Sequence, residues 1–218
     1  PKRLALAVAR RYPAPALASG ARAARSLYRE PAVLAALSTM IIGYAVMIML
    51  MGITALHMKQ HGHALEAIAL AFSAHTFGMF AFSVLTGLLL DRWGRKPVIF
   101  AGALILLAAC LLAPLSLAFF PLAAALFLLG LGWNFCYVGG STLLADALAP
   151  AERARTQGFG DLLIGLVSAG ASVLSGLLLA RYGYGAICLL GALLSLLLLG
   201  VLLWYLGATR RAPSSLPA

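Results

Sequence analysis

Acidic side chains are scarce in this chain. Six Asp and Glu stand against sixteen Lys and Arg in 218 residues, a formal net charge of +10 at pH 7. That balance invites a nucleic-acid reading. However, the basic residues are dispersed among hydrophobic runs and gathered at their ends, with no basic soluble face, so a nucleic-acid partner is excluded. Cysteine is equally sparse. Cys110, Cys136 and Cys188 lie inside apolar runs without CxxC spacing, which indicates neither a zinc site nor a disulfide framework; they read as small buried hydrophobes. There is no Gly-x-x-x-x-Gly-Lys-Ser/Thr stretch, so nothing indicates an ATP-driven pump. Pairing Gly139-Gly140-Ser141 with His75 as an intramembrane Ser/His couple fails on sequence order and on the absence of an oxyanion motif. No enzyme and no cofactor are expected.

Apolar residues are what the chain has in quantity. They make up 63% of it, against 10% charged, and the mean hydropathy is +0.99. A soluble domain of this size has no interior large enough to hide that much apolar surface. The class is therefore an all-α, polytopic membrane protein. A helix needs about 20 apolar residues to cross the hydrocarbon, and six runs qualify, at roughly 32–56, 64–90, 97–118, 121–146, 157–180 and 184–206. Glu30-Pro31 is a natural start for the first. The expected organisation is a basic cytoplasmic linker over 1–30, a six-helix bundle over 31–207 and a short tail over 208–218. Residues 1–30 lack the clean apolar core of a signal peptide.

Charge orients the bundle. With both termini inside, the inner segments hold seven, three, two and two Lys/Arg residues, and the outer loops hold only Lys59 and Arg181. Lys and Arg in short loops stay cytoplasmic, so the N- and C-termini are expected in the cytoplasm. Small residues recur at packing spacing: Ser168, Ser172 and Gly176 in the fifth run with Gly165 and Ala169 beside them, and Gly139, Gly140 and Ser141 late in the fourth. Small-xxx-small faces mark helix contacts in lipid, so runs four and five are expected inside the bundle. The Leu-rich sixth is expected to face lipid.

The densest cluster of chemistry is Gly87-Leu-Leu-Leu-Asp91-Arg92-Trp93-Gly94-Arg95-Lys96-Pro97, a very short turn between the second and third runs. Gly94 suits a left-handed backbone, and Pro97 suits a first helical turn. Asp91 ends one helix and can accept hydrogen bonds from the N-terminus of a neighbour, where the dipole favours an anion. Arg92 and Arg95 can pair with Asp146 or Glu152.

This Gly-x-x-x-Asp-Arg-x-Gly-Arg-Lys-Pro turn resembles the signature loop of the major facilitator superfamily, which also joins the second and third helices on the cytoplasmic side. The resemblance covers residues 32–206 in helix count and topology. It implies one six-helix half of a twelve-helix alternating-access carrier, taking a small-molecule substrate and moving it by a solute or proton gradient, with proton-coupled efflux as one form. It implies a cytoplasmic latch of Gly87, Asp91, Arg92, Gly94, Arg95, Asp146 and Glu152, with Asp91 docked on the start of the fifth helix near Gln157-Gly158. The partner is the other six-helix half. A long basic segment precedes the first helix, the fourth helix lacks an embedded Arg and the fifth lacks a Gly-Pro motif, so this chain is expected to be the C-terminal half. A half-size protein that pairs with a second copy is the alternative. A non-transporting sensor or assembly protein that kept the fold is the competing class.

Polar residues deep in a span are functional candidates by default. His75 and Asn134 fall near mid-bilayer. Tyr44, Tyr137 and Asp161 join them as candidates for a substrate or proton pathway, with Thr54 and Trp133 nearby. Asp161 is expected to lie shallow, near the inner surface. Glu66 is expected to be solvated. His57, His61 and His63 invite a metal reading, but no Cys or carboxylate joins them in the loop, so a solvated outer loop is expected. The Ala, Leu and Arg bias suits a GC-rich bacterial genome and hence an inner-membrane location in contact with lipid.

Overall fold

The computed structural model describes residues 24–211, so most of the expected linker and tail lies outside the described residues. After a single helical turn at Ala24–Leu27 come six spans. They are α1 (Pro31–Gln60), α2 in two pieces (α2a, Leu65–Phe80, and α2b, Ser83–Trp93), α3 (Arg95–Leu112), α4 (Phe119–Ala147), α5 (Pro150–Tyr182) and α6 (Tyr184–Arg211). Among the described residues there is no strand.

Starts and stops follow local chemistry. Pro31 and Pro150 sit in the first turns of α1 and α5, after residues held extended at Glu30 and Ala149, where the missing proline N–H costs nothing. Glu152 then accepts a bond from the Ala149 N–H at 3.0 Å, closing the α5 N-terminus as an N3 glutamate does. This is why α5 begins at Pro150, seven residues before the apolar run: Ala-Glu-Arg-Ala-Arg is polar but strongly helix-forming. For the same reason α1 runs on to Gln60 through residues expected in a loop. Between α2b and α3 the chain reverses on Gly94, whose φ of +86° is open only to glycine at low cost.

The spans share burial unequally. α1 is central and touches α4, α5 and α6; α4 is the second hub, against α1, α2a and α3. Close backbone approach holds α4 in place. A Cβ on Gly130 would strike the His75 carbonyl, and one on Gly78 would strike that of Phe127. On its other flanks, Cβ atoms on Gly132 and Gly140 would come within 2.9 Å of Leu106 and 2.8 Å of Met40.

Two expectations are corrected here. The small-residue face of α5 is not inside this bundle: Gly165, Ser172 and Gly176 are exposed, and a Cβ on Gly158, Gly165, Gly170 or Gly176 meets nothing within 4 Å. Nor is α6 mainly a lipid-facing helix. It packs on α1 and α3 through Ile187, Cys188, Ala192, Leu198 and Leu202, while Leu189, Leu193, Leu196, Leu197, Leu203 and Trp204 are exposed on its outer side. The two least buried spans are α2 and α5.

Candidate functional site

The end of the bundle at the Asp91–Pro97 turn is organised by Arg95. Its Nε donates to Asp146 Oδ2 at 2.7 Å, its Nη1 donates to the Leu90 carbonyl at 3.0 Å, and Asp91 Oδ1 lies 3.8 Å away. One guanidinium thus ties the last turn of α2b, where free carbonyls attract a cation, to the last turn of α4. Lys96 extends the clamp: its Nζ donates to Thr209 Oγ1 at 2.9 Å and lies 4.9 Å from the Tyr205 ring centroid, holding the loop against α6. Sequence reasoning missed this role because Thr209 and Tyr205 sit at the far end of the chain.

The other expected latch residues are placed differently. The Asp91 side chain is 80% exposed and does not dock on α5, because the start of that helix at Pro150 is closed by its own Glu152. Arg92 is exposed, with no ion partner among the described residues. Glu152 is buried. A Cβ on Gly87 would meet nothing within 4 Å, so packing inside this unit does not require glycine there.

His75 and Asn134 face between helices. His75 is 1% exposed at the α2a–α4 crossing, and its Nδ1 lies 2.9 Å from the Leu126 carbonyl. A carbonyl only accepts, so Nδ1 carries the proton; Nε2 is buried with no partner among the described residues. Asn134, also 1% exposed, sits at the break in α2. The helix stops at Phe80 and restarts at Ser83. Asn134 Nδ2 donates to the Met79 carbonyl at 2.7 Å and to Ser83 Oγ at 3.1 Å, and the Thr86 hydroxyl donates to Asn134 Oδ1. Backbone groups freed in a membrane must find partners from neighbouring helices, and the Asn134 amide supplies one to the Met79 carbonyl.

Next to Asn134, aromatic rings build a wall. Trp133 stacks on Tyr137 at 5.1 Å and 9°, Tyr44 sets its edge against both, at 5.4 and 5.9 Å, and Phe80 stands over Trp133 at 6.2 Å. Phe80 is 59% exposed. It continues into a groove of about 480 Å³ along α2 lined by Phe72, Ser73, Thr76 and Phe77. Trp133 itself is buried, and its indole N–H has no partner among the described residues.

Asp161 lies on α5, six residues after Arg155. It lies eleven residues after Pro150, roughly 16 Å along the helix at 1.5 Å per residue. Tyr137 lies ten residues before Ala147 on the antiparallel α4, so the two reach a similar depth. Asp161 is within electrostatic reach of the Tyr137 hydroxyl, as is Tyr44. Asp161 is exposed, and Gln157 Nε2 donates to it at 3.2 Å.

The opposite end of the bundle, where α1 and α5 finish, is structural. The Thr54 hydroxyl donates to the Leu50 carbonyl, so it accepts from the Tyr184 hydroxyl 2.8 Å away. His57 stacks on Tyr184 at 4.1 Å. His61 Nδ1 and His63 Nε2 lie 2.8 Å from the carbonyls of His57 and Leu117. The His57 and His61 rings lie 4.3 Å apart, His61 is exposed, and among the described residues no group of three His, Cys, Asp or Glu is placed to hold a metal. The three cysteines are buried and free.

Comparison with known proteins agrees with this architecture. Residues 33–218 match the sequence model of the Major Facilitator Superfamily. The chain is 41% identical over 168 residues to the uncharacterized MFS-type transporter YddS of Bacillus subtilis, covering 76% of this chain and 38% of the relative. It is 40% identical over 176 residues to YdeG of the same organism, also an uncharacterized MFS-type transporter, covering 78% and 40%. It is 30% identical over 161 residues to the riboflavin transporter RfnT of Brucella anthropi, covering 74% and 40%. The chain thus spans about two fifths of the length of the curated relatives it matches.

Proposed function

The chain belongs to the major facilitator superfamily, and from that premise we propose that it forms one six-helix half of a secondary transporter for a small organic solute, a carrier rather than an enzyme. The observation that carries this reading is the face formed by α2 and α5. These are the two least buried spans, and among exposed apolar side chains such as Phe77, Leu88, Leu166 and Leu177 they present Ser73, Thr76, Gly165, Ser172, Gly176 and the Asp161 carboxylate. A charged side chain at the centre of a membrane helix costs roughly 2.5–3.5 kcal/mol. The Asp161 carboxylate and the small residues beside it are therefore better suited to protein and water than to acyl chains. A second six-helix unit covers it and encloses a pathway between the two.

In this reading the second unit is the preceding half of a longer polypeptide, and this chain is the C-terminal half; a second copy of the same chain is the alternative source. The count of Lys and Arg supports cytoplasmic termini and a cytoplasmic loop at Asp91–Pro97. The bacterial relatives support an inner-membrane location. The Arg95 clamp holds the inner ends of α2b and α4 together in one state and releases them in the other, with the exposed Asp91 free to engage the second unit. Gradient-driven movement through the full-length protein in sealed vesicles tests the reading. Asp91→Asn is expected to cut transport while leaving insertion intact. Unaltered transport in that variant contradicts the latch. A full-length protein that inserts but moves no solute under any imposed gradient fits the sensor class instead.

A further inference from the structure

Between α1, α5 and α6 the bundle leaves a crevice of about 250 Å³ that the carrier reading does not use. We propose that it holds one acyl chain of an anionic phospholipid, whose phosphate sits on Arg181 at the end of α5.

Helix packing makes the crevice. α5 and α6 are consecutive and reverse on Gly183, whose φ is +77°, yet α5 lies mainly on α1 and touches α6 far less. The gap is floored by Ala45 and Met49 of α1. Its walls are Val167, Ala171 and Leu174 of α5 and Leu194 of α6. Every lining side chain is apolar. An apolar cavity of about 150 Å³ already stays dry and takes up benzene, so water does not fill this larger one. Left empty, it costs stability in proportion to its volume. From Val167 to Leu174 the helix advances roughly 10 Å at 1.5 Å per residue. The crevice is therefore drawn out along the helices, which is the direction of a lipid chain. That shape suits an extended chain segment better than a flat ring system.

Position makes the bilayer the source. Residues two apart on a helix point about 160° away from each other. Val167 stands two residues after Gly165, and Leu174 two after Ser172, so the crevice occupies the flank of α5 opposite its small-residue stripe. Val167 and Leu174 are exposed at its mouth, and on α6 the exposed Leu193 and Leu197 flank Leu194. The mouth thus continues into an apolar surface from which a chain can enter.

The headgroup has a separate signal. Val167, Leu174 and Arg181 recur at steps of seven, close to two helical turns, so one face of α5 runs apolar, apolar, cationic. Arg181 is exposed and has no ion partner among the described residues. It is one of two Lys/Arg residues on the side that the charge bias otherwise leaves bare. Tyr182 beside it is exposed, as suits a ring at headgroup level. Leu174 and Arg181 are roughly 10 Å apart along the helix, which leaves room for the upper chain and the glycerol.

Delipidated full-length protein in detergent, titrated with three probes, tests the site by native mass spectrometry and by melting. Dioleoylphosphatidylglycerol carries both chain and phosphate, dioleoylglycerol lacks the phosphate, and dihexanoylphosphatidylglycerol lacks the chain length. The first is expected to bind saturably and raise the melting temperature. The second is expected to bind at least about threefold more weakly, in line with the modest pull of one surface cation, and the third not to stabilise. Arg181→Gln is expected to weaken the first by about fivefold and to leave the second unchanged. Ala171→Leu fills the crevice from α5, and Leu194→Trp fills it from α6. Whichever elutes monodisperse is expected to lose saturable binding while melting, without lipid, no lower than wild type. Absence of saturable binding, equal binding of dioleoylglycerol and dioleoylphosphatidylglycerol, or wild-type binding in a folded filling variant would overturn the proposal. A side chain of a second six-helix unit seated in the crevice would give the first of these results. No solute movement enters the readout, so the lipid site and the carrier reading fail independently.

Discussion

α4 and α5 are of similar length and equally rich in small residues, yet they use them in opposite ways. In α4 the glycines admit neighbouring backbone: a Cβ on Gly130 runs into the His75 carbonyl, and Cβ atoms on Gly132 and Gly140 crowd Leu106 and Met40. In α5 the same residue type faces open space at Gly158, Gly165, Gly170 and Gly176. A small-residue stripe in a membrane helix announces a close contact, but it does not say whether the contact lies within the unit or beyond it. Here one stripe builds the six-helix body, and the other is left for what the body meets.

Breaking that contrast gives the largest expected effect. Gly130→Val places branched carbons against backbone that has no room to move; overpacking costs about 1–3 kcal/mol or more. It is expected to abolish stable protein in a detergent melting assay. Gly165→Val in α5 is expected to leave the melting of the six-helix body within about 0.5 kcal/mol, as for a surface change, and to lower transport. Equal destabilisation by the two would erase the distinction.

A smaller loss is expected at the α2 break. Asn134→Leu removes the amide that serves Met79, Ser83 and Thr86. Leaving such buried groups unpaired costs about 1–3 kcal/mol each when no relaxation occurs. Lower thermal stability with increased proteolysis near residues 80–86 is the expected result, and an unchanged melting curve would show that the break closes without help. Gly94→Ala forces a side chain onto a backbone at φ +86°, at a cost of roughly 1–2 kcal/mol, read in the same melt. The least stability effect belongs to Arg95→Gln. The guanidinium and its Asp146 partner are both partly exposed, and such pairs contribute about 0–1 kcal/mol. A double-mutant cycle with Asp146→Asn on stability and on transport is expected to show small coupling in the first and larger coupling in the second.

Much of the fold is legible in the residues. Six apolar runs give six spans, Pro31 starts the first and Gly94 turns the second into the third, because length, proline and positive φ act locally. The break in α2 is not legible: no proline or glycine stands at Ala81-Phe82, and its cause lies in Asn134 on another helix. The start of α5 was hidden because hydropathy cuts the helix at its charged first turns, whereas Pro150 and Glu152 start it there. Asp91 and Arg95 were legible as a loop, but which one clamps depends on where α4 delivers Asp146. The fates of α5 and α6 were obscured because Leu and Gly serve equally against lipid, against neighbours and against a second unit.

The central claim is that the α2–α5 face meets protein and water while the outer face of α6 meets lipid. The direct measurement is labelling of single introduced cysteines by a membrane-impermeant thiol reagent in the full-length protein; the native cysteines are buried. Gly165→Cys and Ser172→Cys are expected to react at aqueous rates from one side of the membrane, since only an ionised thiol attacks, whereas Leu193→Cys and Leu197→Cys stay unmodified. Inert α5 positions beside reactive α6 positions would contradict the account.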